Sequence, residues 1–311
     1  ADAQPTRRRC RPGPEGRYPF SPMDDRLCLM TVHAHPDDEA SKGPGTIARY
    51  HNAGVHTVLV TCTGGEEGDI LNPAMDTPEV RASIPEVRAR ELQASASVIG
   101  YDEVVLLGYR DSGMPETETN KNPDCFAQAD LDEATGRLVA EVRRCRPQVM
   151  ICYGDNHGGY PHPDHIRAHV IGVAAFEAAG DKDLYPLAGE PFQPSKLYYT
   201  IWSRQRIVET HEKFLELGLE SPFDESWFER HSDEEAVTTT IDLAGYEDVR
   251  PNALLAHASQ VDPTSKFWFG LPPEVARGIY PFDDYVLAQS LVETKLPETD
   301  LFSGISSKVL A

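Results

Sequence analysis

Basic residues are scarce in this sequence: 29 Lys and Arg stand against 50 Asp and Glu over 311 residues, a formal charge of -21. Such a surface repels the phosphates that dominate nucleic-acid affinity and gains nothing from anionic lipid headgroups, so neither nucleic acid nor membrane is an expected partner. Long apolar runs are also missing. None reaches the roughly 18 residues a membrane span needs, and residues 1–22 contain no apolar core of a secretory signal. Paired cysteines are absent: the six at positions 10, 28, 62, 125, 145 and 152 include no CxxC. Cys28, Cys62 and Cys152 sit in apolar runs, where a cysteine serves as a small hydrophobe. A soluble protein of the reducing cytoplasm is the expectation. No GxGxxG follows the first expected strand, and no GxxxxGK[ST], GxSxG or HExxH occurs, which disfavours a nucleotide site, a serine hydrolase and a zincin.

What is present is a 40% hydrophobic chain, enough for a sizeable core. Residues 1–22 are rich in Arg and Pro, lack periodicity and begin with Ala, so they are expected to form a processed or flexible tail. Beyond them, β-rich runs at 26–32, 55–62, 103–107, 148–153 and 196–202 alternate with helical patterns at 46–53, 86–99, 131–145 and from 163 to Gly180. Leu131, Ala134, Leu138, Val142 and Cys145 recur at steps of three and four, and the pattern halts before Pro147. The alternation predicts an α/β fold: a mostly parallel sheet with helices on both faces over 23–203. After Ser203 the rhythm fades, leaving a strand pattern at 237–241 and a helical run at 253–260. Residues 204–311 are expected to form a smaller C-terminal cap.

Two clusters carry chemistry. His33-Ala34-His35-Pro36-Asp37-Asp38-Glu39 follows the first strand, and Tyr160-Pro161-His162-Pro163-Asp164-His165 follows the fourth at a helix start. Each has a His with another candidate ligand three positions away, a spacing that turns two side chains to one side of a helical turn. In the common doubly wound order 3-2-1-4-5, strands one and four are neighbours, and ligands bind in the crevice beyond their carboxyl ends. The two clusters should therefore meet. Imidazoles with a carboxylate suit a catalytic zinc that keeps one position open for water. Asp37 and Asp38 offer one ligand and one proton acceptor, and spacing alone does not assign which is which. His157, in the Gly-rich approach to the second cluster, either lines the pocket or decorates a loop.

Ala34-His35-Pro36-Asp37-Asp38-Glu39 together with His162-Pro163-Asp164-His165 resembles the PIG-L/LmbE-like family of zinc amide hydrolases, whose members have a Rossmann-like sheet. The resemblance implies one zinc ion on His35, Asp38 and His165, with Asp37 as general base. His162 would be the acid or electrophile beside the substrate carbonyl, Asp164 would tune it, and Tyr160 would help stabilise the oxyanion. Asp111 matches a residue that binds sugar hydroxyls in the family's deacetylases. Lys42, Glu66 and Asn72 are the other expected substrate contacts. Longer stretches, including 33–43, 68–76, 158–167 and 256–260, look most like the branch that cleaves mycothiol S-conjugates, a small-molecule thiol-sugar class. The implied reaction gives an N-acetylcysteine S-conjugate and glucosaminyl-inositol. A pathway amidase trimming a mycothiol-conjugated antibiotic intermediate and an N-acetylglucosaminyl-inositol deacetylase are the alternatives. Glu67 and Leu255 depart from this branch where basic residues are expected, and the loop 154–159 is about one residue longer.

Overall fold

A computed structural model describes residues 26–155, 161–230 and 237–305; the N-terminal tail, His157 and Tyr160 lie outside the described residues. β1 (Cys28–His33), β2 (His56–Thr63), β3 (Glu103–Tyr109), β4 (Val149–Tyr153) and β5 (Lys196–Ile201) are short runs rich in apolar and β-branched side chains, and β1 and β4 are buried along their whole length. That pattern belongs to strands covered on both faces. All four ladders between them are parallel and run in the order β3-β2-β1-β4-β5, as the alternation predicts.

Successive side chains serve opposite layers. Met30 and Val32 of β1 and Met150 and Cys152 of β4 join one core, whereas Leu29, Val149 and Ile151 join the other. The described helices are α1 (Asp38–Ser41), α2 (Pro44–Asn52), α3 (Pro78–Ala82), α4 (Ile84–Ile99), α5 (Leu131–Cys145), α6 (Pro163–Ala178), α7 (Arg204–Glu216), α8 (Glu225–Arg230), α9 (Val249–Ala256), α10 (Lys266–Phe269) and α11 (Pro273–Ala276). α5 and α6 pack together over the first core, and α2 and α4 pack with α9 over the second. None of the described helices is long and apolar enough to cross a membrane.

The C-terminal third lengthens the same sheet. β7 (Phe282–Ser290) pairs antiparallel with β5, and β6 (Thr239–Asp242) pairs antiparallel with β7. The strand expected at 237–241 thus begins at Thr239, and the helix expected at 253–260 is displaced to α9, ending at Ala256. β7 is not foreseen from sequence because Asp283 and Asp284 interrupt its apolar alternation. In the fold both acids are buried, and Asp283 accepts hydrogen bonds from the Thr46 N–H (3.2 Å) and hydroxyl (3.1 Å) and pairs with Arg250. Gly43, at φ +80 between α1 and α2, lies so close to β7 that a Cβ there would come within 2.3 Å of the Tyr285 hydroxyl. The loop after β1 is thereby fixed against the C-terminal strand.

Candidate metal and catalytic centre

β1 and β4 are adjacent, so the chain leaving β1 through Ala34–Asp37 faces the N-terminus of α6. The motif loop is strained: Asp37 has φ 106 and ψ -24, a left-handed conformation that a non-glycine residue adopts only when its surroundings enforce it. Those surroundings are polar and buried. The Asp37 N–H donates to Glu39 Oε2 at 2.9 Å, and Arg88 from α4 donates to Asp37 Oδ2 at 2.8 Å. Arg88 also donates to the carbonyls of Pro36 and Gly65, bridging the loops after β1 and β2. Glu39 in turn accepts the Ser95 hydroxyl at 2.5 Å and pairs with His257 at 2.6 Å, both wholly buried. Burial alone would lower His257 and raise Glu39; the pair reverses both shifts and keeps both groups charged.

His35, Asp38 and His165 offer donor atoms that all lie within 4.8 Å of one another, and all three are buried. Asp38 is gripped from several sides: Oδ2 accepts the His35 N–H at 2.9 Å and the Tyr153 hydroxyl at 2.6 Å, while Oδ1 lies 2.5 Å from Lys42 Nζ and 3.4 Å from His165 Nε2. Burial would raise its carboxyl, but Lys42 and His165 outweigh burial and hold it well below the usual range. His165 stacks on Tyr153, ring centroids 4.5 Å apart. Burial pushes it down to about 4 against the pull of Asp38, leaving the neutral imidazole that a metal requires. Nδ1 of His35 lies 3.5 Å from Asp38 Oδ2, and its Nε2 lies 3.2 Å from Asp164 Oδ2 and 3.6 Å from Asp111 Oδ1. Burial opposes protonation of His35, but hydrogen bonds to these three carboxylates raise it well above the ordinary histidine range. Carboxylates on three sides thus draw positive charge to this ring. With a carboxylate behind a ligand imidazole, the donor set fits a divalent metal. Asp111 and His162, with His35, form a second convergent group.

The site residues expected from sequence differ in where the structure places them. Asp164 is directed at His35 and Ser112, whose N–H donates to it at 3.0 Å; it meets His162 through its backbone N–H, which donates to His162 Nδ1 at 3.2 Å. Because Nδ1 accepts, the neutral His162 carries its proton on Nε2. Burial and then the charge of His35 lower His162 despite Asp164 and Asp111, which favours a neutral donor over a cationic acid. Asp111 is buried, and its hydrogen bond to His35 overcomes burial to keep it ionised. A cavity of about 420 Å³ lies over these groups, lined by His35, Asp37, Asp38, Lys42, Asp111, His162 and His165 among others. Glu66 and Asn72 are not among its lining residues. Glu66 accepts the Asp111 N–H at 3.2 Å, and Asn72 donates to the Ala258 carbonyl at 2.8 Å, so both brace loops instead of facing the cavity.

Arg88, Glu39, Tyr153 and His257 acquire roles here that motif reading did not assign. One signal was available: Arg88, Glu91 and Ser95 recur at helical spacing on the buried face of α4, and all three hold loops around the centre.

A buried two-His, one-carboxylate set with a second carboxylate beside it, at the switch point of a doubly wound sheet, is the arrangement of a hydrolytic metal centre. The chain belongs to the PIG-L family, described as GlcNAc-PI de-N-acetylase, whose model matches residues 30–176, and it is a hydrolytic enzyme acting on amides. It is 46% identical over 293 residues to mycothiol S-conjugate amidase of Streptomyces coelicolor, covering 91% of this chain and 99% of that protein. It is 40% identical over 300 residues to 1D-myo-inositol 2-acetamido-2-deoxy-alpha-D-glucopyranoside deacetylase of Streptomyces avermitilis, with 91% and 99% covered. N,N'-diacetylchitobiose deacetylase from Pyrococcus horikoshii, solved with its inhibitor MPG, shares the fold at TM-score 0.58 and 15% identity, over 85% of this chain and 84% of that one.

Proposed function

We propose that this chain is a zinc-dependent amidase that cleaves the amide of mycothiol S-conjugates, releasing an N-acetylcysteine S-conjugate and glucosaminyl-inositol. The observation that carries the chemistry is the strained Asp37 carboxylate beside the His35, Asp38 and His165 cluster. The likeness to the Streptomyces coelicolor amidase carries the substrate. Such thiol conjugates belong to a reducing cytoplasm, where we place the enzyme.

Zinc on His35, Asp38 and His165 would supply Lewis acidity at the scissile carbonyl and lower the pKa of water in the site. Asp37 takes a proton from the attacking water, whose oxygen forms the new bond to the amide carbon. The same carboxyl returns that proton to the amine nitrogen as the C–N bond breaks. His162 donates its Nε2–H to the developing oxyanion, with Tyr160 assigned as a second donor by motif position. Asp164 orients His35, Asp111 grips sugar hydroxyls, and Lys42 contacts the cysteinyl portion. Glu66 and Asn72 act indirectly, by bracing Asp111 and the turn at His257–Gln260. In this reading 23–203 forms the catalytic unit, and 204–311 completes the pocket through Leu254, Gln260, Val261 and Trp268.

A deacetylase of the bare sugar is the second reading, favoured by the 40% identity to the Streptomyces avermitilis enzyme. The two substrates share the sugar-inositol half, so discrimination lies on the acyl side, where a larger group gains transition-state binding. The purified enzyme should hydrolyse mycothiol S-conjugates with a kcat/KM at least about tenfold above that for N-acetylglucosaminyl-inositol, since each methylene taken into an apolar pocket contributes ~1–3 kcal/mol. Preference for the acetamide would replace the amidase reading with the deacetylase. Similar rates across many S-substituents support general detoxification, and strong preference for one bulky conjugate supports a biosynthetic step.

A further inference from the structure

The cavity over the centre mixes charged groups, including Asp111, Glu67 and Arg88, with apolar ones: Leu71, Leu254, Val261 and Trp268. Leu254 and Trp268 also line a second cavity of about 230 Å³, so the two spaces share a wall. The second cavity is bounded largely by apolar side chains, among them Leu243, Phe269, Leu271, Ile279 and Tyr280. The charged groups that line it are partnered. Arg277 pairs with Asp248 at 2.7 Å, Arg250 pairs with Asp283, and Glu247 accepts the Gly245 N–H at 3.0 Å. Nothing in the proposed chemistry uses this space.

The wall is built as an aromatic cluster. Trp268 meets Phe267 edge to face at 4.7 Å and Trp202 at 5.7 Å. The Trp202 indole N–H donates to the Ser41 carbonyl at 3.3 Å, tying the cluster to the helix that carries Asp38. A dry cavity of about 150 Å³ admits a benzene ring, so this one has room for a group of one or two rings. The sugar-inositol half of a conjugate needs many hydrogen-bonding partners, which a largely apolar lining whose few charged groups are already engaged does not offer. The remaining part of the substrate, beyond the scissile carbonyl, is the acyl chain and whatever its sulfur carries.

We propose that the second cavity is the acyl-side subsite, that it takes an apolar aromatic substituent on the sulfur of the conjugate, and that Leu254 and Trp268 are specificity-determining residues. The inference rests on the amidase reading. The route this requires crosses Leu254 and Trp268, the two residues that the cavities have in common.

Ala276 is exposed and lines the second cavity without lining the first, so Ala276→Trp fills the subsite with little demand on the core. The full chain is assayed with S-methyl and S-naphthylmethyl mycothiol, and binding of N-acetyl-S-(naphthylmethyl)cysteine, the acyl half alone, is measured by calorimetry. Ala276→Trp should lower kcat/KM for the naphthylmethyl conjugate by about tenfold or more and weaken binding of the acyl half similarly, while the S-methyl conjugate changes by less than about twofold. Trp268→Ala should lose the same preference, and Trp268→Phe should restore most of it. Equal effects on both conjugates, or none on either, overturn the proposal. If the parent cleaves only the sugar acetamide, the amidase reading fails on its own. Binding of the acyl half then decides the subsite: loss in Ala276→Trp sustains it, and unchanged affinity refutes it.

Discussion

Asp37 is subject to opposing forces. Burial raises its carboxyl above the ordinary aspartate value of 3.8, the direction a general base needs, and Arg88 pulls it back down. A base works in its ionised form, so with Asp37 as the proposed base activity should fall as pH drops through its pKa. Removing Arg88 should raise that pKa, and Arg88→Met should shift the acid limb of the kcat/KM profile to higher pH. An unmoved limb, or one displaced to lower pH in a fully metal-loaded variant, would separate Arg88 from the base. At this scale the sequence was legible where the chemistry is contiguous: His35, Asp37 and Asp38 stand together, as do His162 and His165. It was opaque where a partner is remote. Arg88 lies 51 residues from Asp37, Tyr153 lies 115 from Asp38, and His257 lies 218 from Glu39. The helical spacing of Arg88, Glu91 and Ser95 puts them on one face of α4, but spacing alone does not name the remote residue that each one meets.

Among the elements, β5 and the segment after β7 are joined by a buried ion pair: Lys196 Nζ lies 2.5 Å from Glu298 Oε1, with the Tyr198 hydroxyl donating to Oε2 at 2.7 Å. Lys196 is fully buried. Lys196→Met should destabilise the protein by about 3–5 kcal/mol in urea unfolding, because it leaves the Glu298 charge buried without its cation. The double variant Lys196→Met/Glu298→Leu should recover much of that loss. A cost under about 1 kcal/mol for the single variant would mean that Glu298 finds water or a proton instead. The parallel strands were readable because each is a short apolar run followed by a helical period. β7 was not, since its buried acids are explained by partners on other elements: Thr46, Arg206 and Arg250 for Asp283, and the Thr240 hydroxyl for Asp284.

For the molecule as a whole, the C-terminal third is both part of the sheet and part of the lining of the cavity over the metal-ligand cluster. It contributes β6 and β7, the His257 partner of Glu39, the Ser259 N–H and hydroxyl to Glu91, and the apolar wall of the cavity. The sequence contains three tryptophans, and Trp202, Trp227 and Trp268 all pack around Phe267 or one another in this region. Two of the three lie within 204–311 and Trp202 packs against Trp268, so tryptophan emission chiefly reports the C-terminal third, while far-ultraviolet circular dichroism reports every helix. The two should change together in one denaturant transition, because β7 pairs with β5 from Lys196 to Ile201, through one register shift between Leu197 and Tyr198. An earlier fluorescence transition would make 204–311 an independently melting unit.

The central claim is that one group of side chains holds a metal while the neighbouring carboxylate moves the proton, and Asp37→Asn divides the two roles. The amide can still accept the Arg88 hydrogen bond but cannot take a proton from water. The measurement is kcat for a mycothiol S-conjugate at known metal content. The account predicts about one equivalent of metal per chain, as in the parent, with kcat reduced by about 10²–10⁴-fold. Near-parent kcat at full loading would contradict Asp37 as the base, and loss of the metal together with turnover would make it a ligand.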